Sequence, residues 1–236
     1  MTMTLTLRAL AALLAYPSGE LIRHLADIRS ALSSEGALAR PERRRLEPLL
    51  AVLETEDLLD LQAAYSELFD RSRRLSLHLF EHVHGDSRER GQAMIDLAEQ
   101  YAAAGILLDA NELPDFIPVF LEYASCLEPR EARSTLAEPA HVFAALAERL
   151  DDKGSPYAGI FAALVTLSRR RPGRDEVADL PSAEVQENED SADIDREWEE
   201  APVAFELSGA HAMGGPTGVV AKIRAGNRPT ERGQAQ

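Results

Sequence analysis

Up to Arg171, apolar residues recur at helical spacing nearly everywhere, and no window holds the strict alternation of a half-buried strand. That property restricts the chain to helices packed on helices, and it stops at Pro172-Gly173. The predicted fold class is all-α. A helical domain covers residues 1–171, and a tail covers 172–236, first acidic and then rich in Gly and Pro. A helical body of about 170 residues is large enough to bury a real core. The tail is expected to be flexible, because its acidic run has few apolar side chains to bury. Ile194, Trp198, Val203 and Phe205 are the exceptions, candidates for docking onto the body or a partner.

Punctuation residues divide the body. Leu5 to Ala15 makes a first helix, stopped by Tyr16-Pro17-Ser18-Gly19, and Glu20 to Leu32 makes a second. A third runs from Pro41 to Leu53, with Pro48 expected to kink it or end it early. Thr55 is the expected N-cap of a fourth, Glu56 to Phe69. A His-bearing helix follows. The remaining helices are expected over Ser87–Ala104, Pro114–Leu127, Glu138–Leu150 and Pro156–Ser168.

Charge narrows the partners. Twelve acidic residues and one basic residue, Arg196, lie between Asp175 and Glu200, so most of the net charge of −15 sits there. Lys occurs only at Lys153 and Lys222 and the Arg runs Arg43–Arg45 and Arg169–Arg171 are short, so this acidic chain lacks the clustered positive charge that displaces counterions from nucleic acid. The opening residues lack a basic n-region, Arg8 interrupts the first apolar run, and no segment reaches the ~18 to 20 apolar residues of a membrane span. A cytoplasmic protein that does not insert into the membrane is the expectation. A single cysteine, Cys126, fits a reducing compartment and is read as a small core-facing side chain.

The chemistry concentrates between Leu75 and Leu97, LSLHLFEHVHGDSRERGQAMIDL, which carries three of the six histidines. At helical spacing His78, Glu81 and His82 stand at i, i+3 and i+4 and share one polar, titratable face. Leu75, Leu79, Phe80 and Val83 turn toward the core. Gly85 suits a left-handed helix stop, and Asp86 with Glu89 reads as a capping box for the next helix. His78 to His82 also matches H-x-x-E-H, in which two His one turn apart hold zinc and the Glu acts as base. That makes a zinc-dependent hydrolase one alternative, although no third ligand is singled out. No phosphate-binding Gly loop or nucleophile elbow occurs. In Glu112-Leu113-Pro114-Asp115-Phe116, Pro114 fixes a helix entry and Asp115 can satisfy first-turn amides.

These blocks, together with SPYAGIFAALVTL (Ser155 to Leu167) and REWEEAPVAF (Arg196 to Phe205), closely resemble the NarJ-type nitrate reductase assembly chaperones, or delta subunits. The likeness runs from about Tyr65 to Phe205 in the family's own order. It implies a TorD-like helical bundle, without enzymatic activity or a cofactor of its own. The implied partner is the apo nitrate reductase catalytic (alpha) subunit, alone or in its alpha–beta complex, held for molybdenum cofactor insertion. The Glu112–Phe116 segment resembles the E-x-P-D-H loop of the wider superfamily, linked there to nucleotide and client binding. Phe116 stands where that loop has His, which matches the narrower family and leaves a nucleotide role without support. The expected client-binding face comprises His78, Glu81, His82, Asp86, Arg88 and Arg90, with Leu113, Pro114, Asp115 and Pro118 as the neighbouring hinge. A permanent structural subunit is the other alternative.

Overall fold

The computed structural model describes residues 2–84, 89–108, 112–170, 172–173 and 176–177, all within one compact unit. The expectations placed on Gly85, Asp86, Arg88 and the tail beyond Val177, Trp198 included, lie outside the described residues. Among these residues the protein is all-α, and its only extended pairing is a single antiparallel bridge between His78 and Phe116.

Among the described residues eleven α-helices follow in order: α1 (Thr4–Leu14), α2 (Gly19–Arg23), α3 (Leu25–Ser34), α4 (Arg40–Thr55), α5 (Leu58–Phe69), α6 (Leu79–Val83), α7 (Glu89–Ala103), α8 (Ile117–Cys126), α9 (Pro129–Ala137), α10 (Ala140–Asp152) and α11 (Ala158–Ser168). A 3-10 turn, Arg73–Leu75, precedes α6.

The core has two main pairings, α1 against α8 and α10 against α11, with α11 also packed on α4 and α9. α1 buries Leu7, Leu10 and Leu14 at i, i+3 and i+7, together with Leu13 behind them. α11 is apolar almost all round and buries Ile160, Phe161, Leu164 and Leu167, as a central helix must. Gly159 sets its approach to α4, since a Cβ there would lie 2.4 Å from the Arg45 carbonyl oxygen.

Several expected boundaries move, each for a local reason. The second predicted helix is two, α2 and α3, broken at His24 (φ −102°, ψ 11°), which re-aims Leu25, Ile28 and Leu32 at the core. Pro48 does not end α4. A proline inside a helix costs about 3 kcal/mol. Four buried leucines on that helix, Leu46, Leu49, Leu50 and Leu53, each contribute roughly 1.5 to 3 kcal/mol, which outweighs it. Thr55 closes α4, its hydroxyl donating to the Ala51 carbonyl at 2.9 Å, and Asp57 caps α5 by accepting from the Leu59 amide at 2.9 Å. α9 was not anticipated, because it is short and buries only Ala132 and Leu136. α8 starts at Ile117 rather than at Pro114, with Pro118 in its first turn. Cys126 is exposed at the end of α8 rather than core-facing, while Ser125 beside it is buried. Val83 likewise faces solvent instead of the core.

Candidate functional site

The corner where the 76–83 segment meets the entry to α8 is organised by one carboxylate. Asp115 is 0 % exposed. Its Oδ1 accepts from His78 Nδ1 at 3.0 Å and its Oδ2 from the Phe80 amide at 3.2 Å. The Asp115 carbonyl accepts from the Leu79 amide at 3.0 Å, and the Ile117 amide donates to Leu77 at 2.8 Å. The expected capping role is therefore real but directed elsewhere: Asp115 caps the first turn of α6, not of its own helix. A carboxylate accepting several N–H donors is adequately satisfied in the interior, which an isolated one would not be.

His78, Glu81 and His82 do not share a helix face. His78 precedes α6 in extended conformation (φ −99°, ψ 113°), so the i, i+4 geometry required for two zinc ligands on one helix is not formed. His82 is buried, and its Nε2 lies 2.8 Å from the Ser76 carbonyl. Nε2 must carry the proton in that contact, because a carbonyl only accepts. Burial pushes the His82 pKa below the ordinary imidazole value, opposed by the Ser76 bond and reinforced by the positive charge of Arg149. His82 is thus a neutral core histidine and cannot form a solvent-facing titrating pair with His78. No group of three His, Cys, Asp or Glu residues able to hold a metal occurs among the described residues.

The remaining expected residues divide by access. Glu81 and Arg90 approach each other at 3.5 Å, and Arg90 also stands 3.9 Å from the Asp115 carboxylate. Pro118 is buried in α8 and Pro114 is half-buried, whereas Leu113 is 47 % exposed. His78, Glu81, Arg90, Pro114 and Asp115 therefore come together, with Leu113 on the outer side. Asp86 and Arg88 lie outside the described residues.

Tyr101 was missed. It is fully buried, donates to the Pro114 carbonyl at 2.8 Å and packs on Tyr123 with ring centroids 4.6 Å apart. The available signal was its place on the α7 stripe with Met94 and Leu97, at i+7 and i+4. A distant backbone partner leaves no trace in local spacing.

The family model of the nitrate reductase delta subunit matches residues 35–163. The chain is 42% identical over 193 residues to the nitrate reductase molybdenum cofactor assembly chaperone NarJ of Escherichia coli K12, covering 82% of this chain and 81% of that protein. It is 30% identical over 164 residues to the Bacillus subtilis "Probable nitrate reductase molybdenum cofactor assembly chaperone NarJ", covering 68% and 86%. In three dimensions it resembles a candidate redox enzyme maturation protein from Archaeoglobus fulgidus, with a TM-score of 0.53 at 22% identity over 72% of this chain and 96% of that one. That likeness concerns the fold and agrees with the helical fold expected from sequence. The family match, with identity to NarJ across most of both chains, shows that this chain belongs to the nitrate reductase delta subunit family.

Proposed function

We propose that this protein is a system-specific assembly chaperone. Its client is the apo catalytic (alpha) subunit of respiratory nitrate reductase, bound in the cytoplasm through its N-terminal peptide and kept receptive to molybdenum cofactor insertion. The family relationship supports the chaperone class, and the corner around Asp115 supports the place of binding. There a fully buried carboxylate fixes two chain segments. Apolar side chains are left outside them: Val83 at the end of α6, Leu107 (88 % exposed) after α7, and Leu113 before α8. Exposed aliphatics beside Glu81 and Glu112 suit a client helix with an apolar face and flanking basic residues. Of the expected face, His78, Glu81 and Leu113 make contact, Arg90 pairs with the acids Glu81 and Asp115 in the free protein, and His82, Pro114 and Pro118 hold the corner in place.

A second location has its own observation. A mostly apolar groove of about 400 Å³ lies between α4 and α5, lined by Val52, Leu53, Leu61 and Leu68, with Glu67 and Lys153 also in its lining. Calorimetry with the leader peptide of the catalytic subunit separates the two. Leu113→Glu is expected to weaken binding at least tenfold and Val52→Glu to leave it unchanged; the reverse result moves the client to the α4–α5 groove. A pull-down from cells making the apo reductase tests the class: the catalytic subunit co-purifies before cofactor insertion and is absent from the chaperone after it. A stoichiometric presence in the active enzyme would instead make this chain a permanent subunit.

A further inference from the structure

α7 is held down differently from the other long helices. It runs for 15 residues yet buries one of them, Tyr101, whereas α1 and α11, of 11 residues each, bury seven. Tyr101 forms with Val119 and Tyr123 a small apolar cluster separate from the main core, against which Leu97 of α7 is only partly buried. Polar ties fasten both ends to the same corner. Arg90 reaches Glu81 and the Asp115 carboxylate at one end, and the Tyr101 hydroxyl donates to the Pro114 carbonyl at the other. The face between them, Ala93, Met94, Leu97 and Ala98, is half-buried throughout.

From this pattern we infer that α7 is a displaceable arm, an internal stand-in for a client helix. An amphipathic helix with a basic group at one end and an aromatic or aliphatic stripe matches what the corner already receives from α7. Its cation would replace Arg90 at Glu81 and Asp115, and its stripe would replace Leu97 and Tyr101 on Val119 and Tyr123. The acid groups are Glu81 of α6 and Asp115 just before α8, and the apolar floor is on α8, so α7 meets both. Local opening favours segments with few buried apolar contacts, and α7 has the fewest of the long helices. This identification of the occupant rests on the client reading above; the detachment of α7 does not.

The test uses the full-length chain and a synthetic peptide of the first residues of the catalytic subunit from the same organism. In native-state hydrogen exchange, α7 amides are expected to exchange at least ~10-fold faster than those of α1 and α11. Tyr101→Phe removes only the hydroxyl bond to Pro114, so it should speed α7 exchange by about 3- to 10-fold and leave α1 and α11 unchanged. Because apparent affinity scales with the open fraction, the same variant should tighten peptide binding by a similar factor, about 3- to 10-fold. Exchange of α7 at the rate of α11 overturns the arm. Unchanged or weakened peptide binding by Tyr101→Phe, with α7 exchange accelerated, overturns the stand-in role. Absence of peptide binding by both proteins overturns the client reading and the stand-in role with it, and the exchange rates still decide whether α7 opens.

Discussion

The α1–α8 and α10–α11 pairings and the corner at Asp115 are held by opposite means. The pairings rest on side chains such as Leu7, Phe143, Phe161 and Leu164, all 0 % exposed and in contact with other apolar atoms. The corner rests on a buried carboxylate, two histidines in different environments and a tyrosine hydroxyl, with its apolar residues partly turned outward. Close-packed apolar contact is insensitive to pH and spreads over many partners. A polar junction concentrates its stability in a few bonds, and losing one partner leaves a buried group unsatisfied. The scaffold is thus apolar and close-packed, whereas the junction beside it depends on a few identifiable polar bonds.

The contrast can be broken first at the scaffold. Phe143→Ala should destabilise the whole unit by about 3 to 5 kcal/mol, read as a lowered midpoint in denaturant, with exchange accelerated across α1, α8, α10 and α11 together. A change confined to α10 would show that the pairings are not one cooperative core.

Next comes the corner. Asp115→Ala leaves the His78 ring and the Phe80 amide without their acceptor, so a loss of roughly 1 to 3 kcal/mol is expected, smaller than at Phe143. Asp115→Asn should restore it only in part, because its one oxygen can serve the Phe80 amide only if His78 Nδ1 gives up its proton and accepts from the new amide group. Exchange should rise in α6 and the 113–117 turn and stay low in α11. Full retention of stability by Asn would mean that the carboxylate's second oxygen is dispensable.

The pH dependence separates the regions more finely. His82 is neutral in the folded protein, with a pKa pushed down by burial, while an unfolded imidazole takes a proton near ~6.5. Below that value the unfolded chain binds more protons than the folded one. The contribution of His82 is therefore fully present above about pH 6.5 and is lost as pH falls through that value toward the lower folded one. His82→Gln, whose amide can still donate to the Ser76 carbonyl, should flatten stability between pH 7 and pH 5. An unchanged slope in the variant would assign the pH dependence to other groups.

The smallest effect is expected on the surface. The Arg71–Glu67 pair, at 2.7 Å and mostly exposed, should contribute only ~0 to 1 kcal/mol, so Arg71→Ala serves as the control against which the corner variants are measured.

Much of the scaffold was legible in the sequence, because the periods of α1, α5, α10 and α11 follow from their own residues. Boundaries failed where neighbours compete on equal terms: Thr55 and Asp57 are both good caps, and only their positions relative to α4 and α5 decide between them. The Glu112–Phe116 segment stands out in the sequence as a hinge beside the His-bearing segment, but the bonds that join the two do not. Spacing put His78 and His82 on one helix, yet Asp115, 37 residues further on, draws His78 out of helical geometry through its side chain and the bridge at Phe116. Tyr101 stayed invisible for the same reason, since its partner is the Pro114 carbonyl. Long-range polar bonds carry no period.

On the proposed reading, the client meets the corner at Asp115 and not another surface of the scaffold. Hydrogen exchange of the full-length chain, with and without saturating leader peptide from the catalytic subunit, tests it most directly. Protection is expected at residues 77–83 and 112–117, with unchanged exchange in α4 and α5. Protection confined to α4 and α5, with the corner unaffected, would contradict it.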